Sequence, residues 1–295
     1  MEDEQKRQYL PGLWVVATPI GNLGDLAPRA REALKRADTI LCEDTRRTAC
    51  LTAVLEIETP LERLDAHAGP KAIEKAVKRL LAGESLALVT DAGTPAVSDP
   101  GSALVEAARE AGVTVTPFPG ASAVMTLLSV AGFHETPFTF RGFFPRKNGE
   151  RTQEIERARG SEVSRVFVWF ESPERIQDSI EFVEKIQADA RIVAAKELTK
   201  IHEKIFAGSA ADVSRQIRGE IEREGARGEW CFTLYLQGNP VEEFPDLTKI
   251  LQCLLDARVS ASEAARQVSQ HFGIPKKQVY ERALELSGKK MHKGG

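Results

Sequence analysis

Short β-rich runs alternate with helical segments from Leu13 to Leu236, and no other feature of the sequence constrains the fold as strongly. Strands that alternate with helices along a chain form a substantially parallel sheet covered by helices, as in α/β proteins. The runs Leu13–Thr18 and Leu86–Thr90 are mostly apolar, which is typical of strands buried on both faces. Because the loops at the carboxyl ends of such strands share one edge of the sheet, we expect a ligand site there.

The hydrophobic pattern and the turn residues predict further elements in both halves of this region. The other predicted strands are Thr39–Cys42, Val113–Phe118, Phe138–Phe143, Arg165–Phe170, Arg191–Glu197 and Trp230–Gln237. The predicted helices are Pro28–Ala37, Arg46–Leu55, Lys71–Ala82, Ser102–Ala111, a helix that ends near Ala131, Arg151–Ala158, Pro173–Ile186 and Ala210–Ile221.

Composition narrows the function classes. With 295 residues, of which 42% are apolar, the chain is long enough for more than one domain. A net charge of −3 excludes a strongly basic, histone-like nucleic-acid binder. No apolar run approaches 18 residues and the first residues are charged, so we expect a cytoplasmic protein with no membrane partner. The Cys and His spacings match no disulfide scaffold or metal motif, and we expect no metal.

The segment Gly238–Asp246 combines Gly, two Pro and three acids and predicts a domain boundary. Three helices are predicted beyond it, at Leu247–Ala257, Ser262–Phe272 and Pro275–Leu286, with a short Gly-containing turn before the last. This order is that of a helix-turn-helix. From Ile274 to the end, six Lys or Arg oppose two Glu, a local charge of +4. This charge is explained either by a surface that contacts phosphates or by a small helical appendage whose role is packing.

Two loops after predicted strands are rich in Gly and Pro. DAGTPAVSDPG follows Leu86–Thr90, and PGAS, one strand later, places Ser122 and Ala123 at the same edge. Gly lets the backbone approach a ligand and Pro fixes the loop shape, so the pair favours a binding site over simple turns. TPIGNLGD, after the first strand, is neither a dinucleotide motif nor a P-loop, and a tight turn explains it equally well.

Charged motifs follow other predicted strands: EDTRRT at Glu43–Thr48, FESPER at Phe170–Arg175 and KELTK at Lys196–Lys200. Each motif by itself is explained by a solvated charge run. In EDTRRT the alternative is that the Arg side chains hold a phosphate or the acids orient a hydroxyl group. Their repetition at several strand ends favours a functional edge.

Taken in order, TPIGNLGD, EDTRRT, LVTDAGTPAVSDPG, PFPGAS, FESPERI, KELTK and KKQVYERALEL resemble the ribosomal RNA small-subunit methyltransferase I family of the tetrapyrrole methylase superfamily. The resemblance covers about Leu13 to Leu286. It implies two α/β subdomains, which we place at residues 1–120 and 121–240, with a cofactor cleft between them and a C-terminal helical, RNA-binding appendage at residues 241–295. It also implies a homodimer that uses S-adenosylmethionine to methylate the ribose 2′-hydroxyl of a cytidine in the decoding region of 16S ribosomal RNA, within the assembled small subunit and with no role for DNA.

The resemblance assigns roles to particular positions. The cofactor contacts it implies are Asp91, Ala92, Gly93, Thr94, Pro95, Ser122, Ala123, Phe170 and Leu198. The substrate-side candidates are Pro19, Asn22, Glu43, Asp44, Arg46, Arg47 and Lys200.

A ribose hydroxyl is a very weak acid, so an acceptor for its proton is expected near the site. Glu43, Asp44, Glu171 and Glu197 are all candidates; we prefer the pair Glu43 and Asp44 as catalytic residues. Arg46 or Lys200 would hold a flanking phosphate. Two rival hypotheses are a small-molecule methylase of the tetrapyrrole or diphthamide type, and a non-catalytic RNA-binding protein that retains the fold. EDTRRT and the basic tail argue against the first, and the complete DAGTP, PGAS and KELTK segments argue against the second.

Overall fold

The computed structural model describes residues 9–65, 68–134, 137–161, 165–188, 190–236, 247–272 and 275–291. The chain divides into two compact units, residues 1–236 and 237–295. The predicted boundary segment, Gly238–Asp246, lies outside the described residues, and the predicted domain limits stay predictions.

A parallel five-stranded sheet occupies the first part of unit one, in the order β3-β2-β4-β1-β5. Its strands are β1 (Leu13–Val16), β2 (Thr39–Cys42), β3 (Leu61–Arg63), β4 (Leu86–Leu88) and β5 (Val115–Phe118). The helices around it are α1 (Pro28–Arg36), α2 (Thr45–Val54), α3 (Pro70–Leu81) and α4 (Ser102–Glu110), and a short 3₁₀ turn spans Leu23–Asp25.

Both faces of this sheet are covered, which explains its apolar strands. Trp14 on β1 packs with Leu34 of α1 on one face, and Leu13 packs with Leu104 of α4 on the other. β1 and β4 are neighbours whose following helices, α1 and α4, lie on opposite faces. A crevice therefore opens between the carboxyl ends of β1 and β4, the usual place for a ligand in such sheets.

The second sheet is mixed, in the order β6-β7-β10-β8-β9, with only β6 and β7 parallel. Its strands are β6 (Phe138–Phe143), β7 (Val166–Glu171), β8 (Arg191–Lys196), β9 (Lys204–Ser209) and β10 (Trp230–Tyr235). The helices are α5 (Ala123–Ala131), α6 (Asn148–Arg159), α7 (Ile176–Ile186) and α8 (Ala210–Glu224). The parallel arrangement expected from the alternation therefore holds for the first sheet and only in part for the second.

One face of the second sheet packs on α6, α7 and α8 around Trp169 and Phe232. Its other face packs on α5, and Ile20, from the loop after β1, joins that cluster beside Leu127 and Val168. Ile20, which follows the first strand of the first sheet, therefore packs in the apolar core of the second sheet.

Two strands escape sequence prediction. β3 has only three residues, two of them charged (Glu62 and Arg63), and it is recognisable only by its pairing with β2. β9 alternates poorly and contains Gly208, and its pairing with β8 defines it. Both are edge strands, where burial imposes little pattern on the sequence.

Unit two contains α9 (Leu247–Asp256), α10 (Ala261–Phe272) and α11 (Lys276–Met291). Its own small core gathers Leu251, Ala264, Val268, Val279 and Ala283. The last helix continues past the predicted end at Leu286 as far as Met291, and it includes Gly288.

Candidate functional site

The loops after β1, β4 and β5 are joined at the carboxyl edge of the first sheet. Thr18 and Gly93 exchange two backbone N–H to O=C hydrogen bonds, of 2.9 and 3.0 Å. The φ angle of Gly93 is +81°, a left-handed conformation that Gly adopts without strain. The Thr94 hydroxyl donates to the Ala121 carbonyl at 3.1 Å. The loop after β4, residues 90–101, is therefore held from both sides; we call it the DAGTP loop.

The loop after β8, residues 196–200, closes against the loop after β1; we call it the KELTK loop. The backbone N–H of Asn22 donates to the Thr199 hydroxyl at 3.1 Å. A Cβ atom added at Gly21 would lie 2.9 Å from that hydroxyl oxygen and 3.0 Å from the Leu198 carbonyl oxygen, so the contact requires Gly. The two sheets consequently meet at this pair of loops.

Two adjoining cavities open among these loops, one of about 330 Å³ and one of about 510 Å³. Both are lined by Ile20, Ala92, Ala123 and Phe170. The first cavity is completed by Phe143, Glu171, Ser172, Pro173, Leu198, Gly228, Glu229, Trp230 and Cys231. The second is completed by residues of the DAGTP loop, of the segment 117–125 and of β6, together with Val15.

Most residues predicted to contact a cofactor lie in these walls. Ala92, Ala123 and Phe170 line both cavities and Leu198 lines the first. Gly93, Thr94 and Ser122 line the second. Asp91 and Pro95 lie in the same loop but outside both walls, and the Ser122 hydroxyl caps α5 by accepting from the N–H of Met125 at 3.4 Å. Strands from both sheets thus bring together segments that are up to about a hundred residues apart.

Asp91 links the cavities to the EDTRRT segment. Its Oδ1 atom accepts from the backbone N–H of Asp44 at 3.3 Å, and its Oδ2 atom accepts from Arg47 at 3.1 Å. Arg46 instead pairs with Asp44, at 2.7 Å, and its side chain is 90% exposed. The EDTRRT segment is therefore joined to the DAGTP loop through Asp91, and none of its predicted substrate-side residues lines either cavity.

The two preferred acids differ sharply in environment. The hydrogen bonds from Arg46 hold the pKa of Asp44 far below its usual range. Burial, then the neighbouring charges of Asp91 and Asp99, raise the pKa of Glu43. Within the described part of the chain the Glu43 carboxylate forms no hydrogen bond or ion pair. Glu43 is therefore the better proton acceptor of the two.

Glu171, a further candidate acceptor, is occupied by structural contacts. Its side chain is fully buried and accepts from Arg175 at 2.8 Å, from the Ser179 hydroxyl at 2.6 Å and from the backbone N–H of Ser172 at 2.8 Å. These three donors commit the carboxylate to holding the segment after β7 in place.

Glu197, the fourth candidate, is similarly engaged. Burial opposes its ionisation, but hydrogen bonds from Lys200 and from the backbone N–H of Glu229, both of 2.8 Å, outweigh this and lower its pKa. Lys200 also bonds the Glu229 carboxylate at 3.1 Å. The KELTK charges thus hold this loop against the turn before β10.

Several wall residues were not predicted. Phe143 is the last residue of a predicted strand, and the expectation of a ligand site at the carboxyl ends of strands applies to it as well. Cys231 is the second residue of β10, which runs antiparallel to its neighbours. Its closeness to the site therefore depends on strand direction, which the sequence pattern does not reveal. Burial raises the pKa of the Cys231 thiol to about 12, so the wall of the first cavity presents a neutral thiol.

The described residues contain no group of three His, Cys, Asp or Glu side chains arranged to hold a metal ion. Among the helices described, none is both long and apolar enough to cross a membrane.

Comparison with known proteins agrees with this architecture. A family model described as "Tetrapyrrole (Corrin/Porphyrin) Methylases" matches residues 12–214, and one described as "RsmI C-terminal HTH domain" matches residues 241–287. Among solved structures, diphthine synthase has a TM-score of 0.56 at 14% identity, over 76% of this chain and 90% of that one. The two sheets and their shared cleft define a methyltransferase of the tetrapyrrole methylase class.

Relatives at higher identity narrow this class. A protein of Xylella fastidiosa (strain Temecula1) named ribosomal RNA small subunit methyltransferase I is 40% identical over 92% of this chain and 98% of its own. A protein of the same name from Synechocystis sp. (strain PCC 6803) is 35% identical over 93% of this chain and 98% of its own. The chain belongs to the ribosomal RNA small subunit methyltransferase I family, as its sequence motifs predict.

Proposed function

We propose that this protein uses S-adenosylmethionine to methylate the ribose 2′-hydroxyl of a cytidine in the decoding region of 16S ribosomal RNA, within the assembled small subunit. The names of the relatives support a ribosomal RNA substrate. The observation that carries the proposal is that Glu43, next to the Asp44 that bonds Asp91, feels the charges of Asp91 and of the cavity-lining Asp99 and has no hydrogen bond or ion pair among the described residues.

The cavities suit this cofactor in size and chemistry. They adjoin one another, so a molecule of two parts can occupy both, and their shared wall is apolar and aromatic. S-adenosylmethionine, when bound, supplies a methyl group carried on a sulfonium. The neutral thiol of Cys231 offers no thiolate to compete for that methyl group. The residues that would hold the cofactor are those that line the cavities, namely Ala92, Gly93, Thr94, Ser122, Ala123, Phe170 and Leu198. Asp91 and Pro95, which lie outside both walls, would support the DAGTP loop in this proposal.

In this proposal Glu43 accepts the proton of the ribose hydroxyl, since its carboxylate has a raised pKa and open oxygens. Asp44 holds Arg46 by a bidentate ion pair, with distances of 2.7 and 3.1 Å. Arg46 and Arg47, both well exposed, are the groups that bind flanking phosphates. Pro19, Asn22 and Lys200 belong to the two loops that meet after β1 and β8, where they would support the substrate side.

We also propose that the protein acts as a homodimer. Val97, Met125 and Phe138 are exposed apolar side chains around the second cavity, with exposed fractions of 63%, 55% and 39%. Such a patch supports a contact with a second copy. Light scattering of the purified protein gives its mass in solution and tests this point directly.

The decisive experiment is transfer of labelled methyl from S-adenosylmethionine to small subunits purified from cells that lack this protein. Label on a ribose oxygen of a decoding-region cytidine is the expected result. Free 16S ribosomal RNA, offered in parallel, tells whether the assembled subunit is required. Cofactor binding without transfer to either substrate would overturn the proposal and favour a small-molecule methylase.

A further inference from the structure

Strand β6 has one residue more than its partner β7 needs. Phe140 lies opposite Val168 and Phe143 lies opposite Phe170, so three steps along β6 match two along β7. The extra length is taken up at Gly142, whose φ angle is +71°. This is a β-bulge, a device that turns the following side chain to the other face of a sheet.

The bulge places Phe143 on the cavity face. Its ring lies 5.8 Å from that of Phe170, on the same side as Phe140, whose ring is 4.9 Å from Phe170. Phe144, one residue later, turns into the core against Trp169 and is 1% exposed. Phe143 lines the first cavity yet is 63% exposed, so it stands at the cavity mouth and contributes little to the core.

The segment that follows Phe143 is held rigidly by two Arg side chains. Arg175 donates to the carbonyls of Phe144 and Pro145 at 2.6 and 3.0 Å. Arg151, which is buried, donates to the Pro145 carbonyl at 2.9 Å. Arg175 is fixed in turn by its ion pair with the buried Glu171, so the FESPER motif braces the end of β6.

Next along the chain come two exposed cations. Arg146 forms no hydrogen bond or ion pair with any residue that the structure describes. Lys147 is 81% exposed and lies 3.4 Å from Glu150. An exposed aromatic ring three residues from an unpaired Arg has the composition of surfaces that bind single-stranded RNA, in which bases stack on rings and phosphates pair with cations.

We propose that Phe143 stacks on a nucleobase of the RNA substrate at the mouth of the first cavity, and that Arg146 binds a neighbouring phosphate. This rests on the proposed function and adds a specific RNA contact to it. The adenine ring of the cofactor is another source of a flat aromatic face. The exposure of Phe143 and its proximity in sequence to Arg146 favour the RNA.

The test compares substitutions at one position in the full-length protein. Phe143→Leu keeps an apolar side chain and removes the ring, and Phe143→Trp keeps a ring. Binding of each variant to small subunits is measured by filter retention, without any chemistry, alongside the dissociation constant for S-adenosylmethionine and the mass in solution. We expect Phe143→Leu to weaken subunit binding about tenfold and Phe143→Trp to restore it, with unchanged cofactor affinity.

Because subunit binding is read separately from methyl transfer, failure of the proposed function and failure of this inference are distinguishable. Wild-type protein that binds subunits without methylating them would contradict the function alone. A Phe143→Leu variant that binds subunits normally would overturn the stacking proposal. If Phe143→Leu loses affinity for S-adenosylmethionine, the ring contacts the adenine of the cofactor. If its mass in solution changes, the ring lies in a contact between two copies of this protein. Either result also overturns the proposal.

Arg146→Ala tests the phosphate contact. The logarithm of the binding constant is plotted against the logarithm of the salt concentration for each protein. The slope for Arg146→Ala should be shallower than the slope for the wild type by about 0.7. The matched control is Arg109→Ala, an exposed Arg in the last turn of α4, at the opposite edge of the first sheet. Equal slopes for Arg146→Ala and wild type would contradict the contact.

Discussion

At the scale of single residues, the two neighbouring acids Glu43 and Asp44 differ in the groups that surround their carboxylates. Asp44 is bound by Arg46, which stabilises its ionised form, whereas Glu43 is partly buried among like charges, which raises its pKa. Of these two adjacent acids, Asp44 therefore has a structural role and Glu43 is suited to accept a proton.

Glu43→Gln should lower the rate of methyl transfer by at least about a hundredfold, because the amide cannot take the proton of the hydroxyl. Asp44→Asn should lower it less than about tenfold, through looser placement of Arg46. Single-turnover transfer to small subunits measures both. Affinity for S-adenosylmethionine, measured by calorimetry, should be the same in the wild type and the two variants. Equal losses of rate in the two variants would show that Glu43 is not the proton acceptor.

The pH dependence of the reaction should report the raised pKa of Glu43. The base acts only when ionised, so activity should fall as pH drops through that pKa, which lies above the ordinary value of 4.5. Asp99→Asn removes one of the charges that raise it, so the acid limb of kcat/KM should move to lower pH. An acid limb that stays in place in Asp99→Asn would argue that another group titrates.

At the scale of elements, the site depends on loops from the two sheets meeting without side chains between them. A Cβ atom at Gly21 would crowd the backbone of Leu198 and the side chain of Thr199. Glu197 and Thr199 hold left-handed φ angles of 54° and 65°. Residues other than Gly adopt such angles only when neighbouring contacts compensate. The ion pairs of Lys200 with Glu197 and Glu229 supply those contacts.

Gly21→Ala should therefore force these loops apart, with a loss of about 1–3 kcal/mol in the free energy of unfolding and weaker cofactor binding. Gly219→Ala is the control, because Gly219 lies in α8 and a Cβ there would meet nothing within 4 Å. That control should gain about 0.5–1 kcal/mol. Urea unfolding and calorimetry measure the two effects; unchanged stability in Gly21→Ala would mean that the loops have room to adjust.

At the scale of the whole molecule, two units have separate cores, and their charges differ. Unit one carries the cavities and the acids around them. In unit two, α11 begins with the exposed pair Lys276 and Lys277, while Arg282 is paired with Glu285 at 2.7 Å. Among the side chains of α11 that the structure describes, the cations outside an ion pair are therefore Lys276 and Lys277, in the first turn.

Replacing Lys276 and Lys277 together by Ala should weaken binding to small subunits and lower its salt dependence, because two phosphate contacts are lost. Cofactor affinity should not change, since these residues belong to the other unit. The paired control is Lys35→Ala with Arg109→Ala, two exposed cations in the last turns of α1 and α4. Equal behaviour of the two double variants would show that unit two binds RNA by other residues.

The sequence by itself determined the layout of the fold and the segments that build the site. Burial on both faces makes strands such as Leu13–Val16 and Thr39–Cys42 apolar, and Gly and Pro are frequent in the loops after such strands. The strands and the loops can therefore be predicted from the sequence alone. The family resemblance then extended to nearly the whole chain. Edge strands such as Lys204–Ser209 stayed hidden, since their pairing is not recorded in local pattern.

Tertiary structure alone decided which of these polar residues are available. Glu171, Glu197 and Glu43 look alike in sequence, and only their packing shows which of them are bound by donors. Glu171 accepts from nearby residues of its own segment and Glu197 from Lys200 and the more distant Glu229, whereas Glu43 has no such donor among the described residues. Cys231 and Phe143 reach the cavity through strand direction and a bulge. The reason is physical: hydrogen bonding, burial and pKa depend on neighbours in space, and those neighbours are brought together by the sheets, not by the order of the chain.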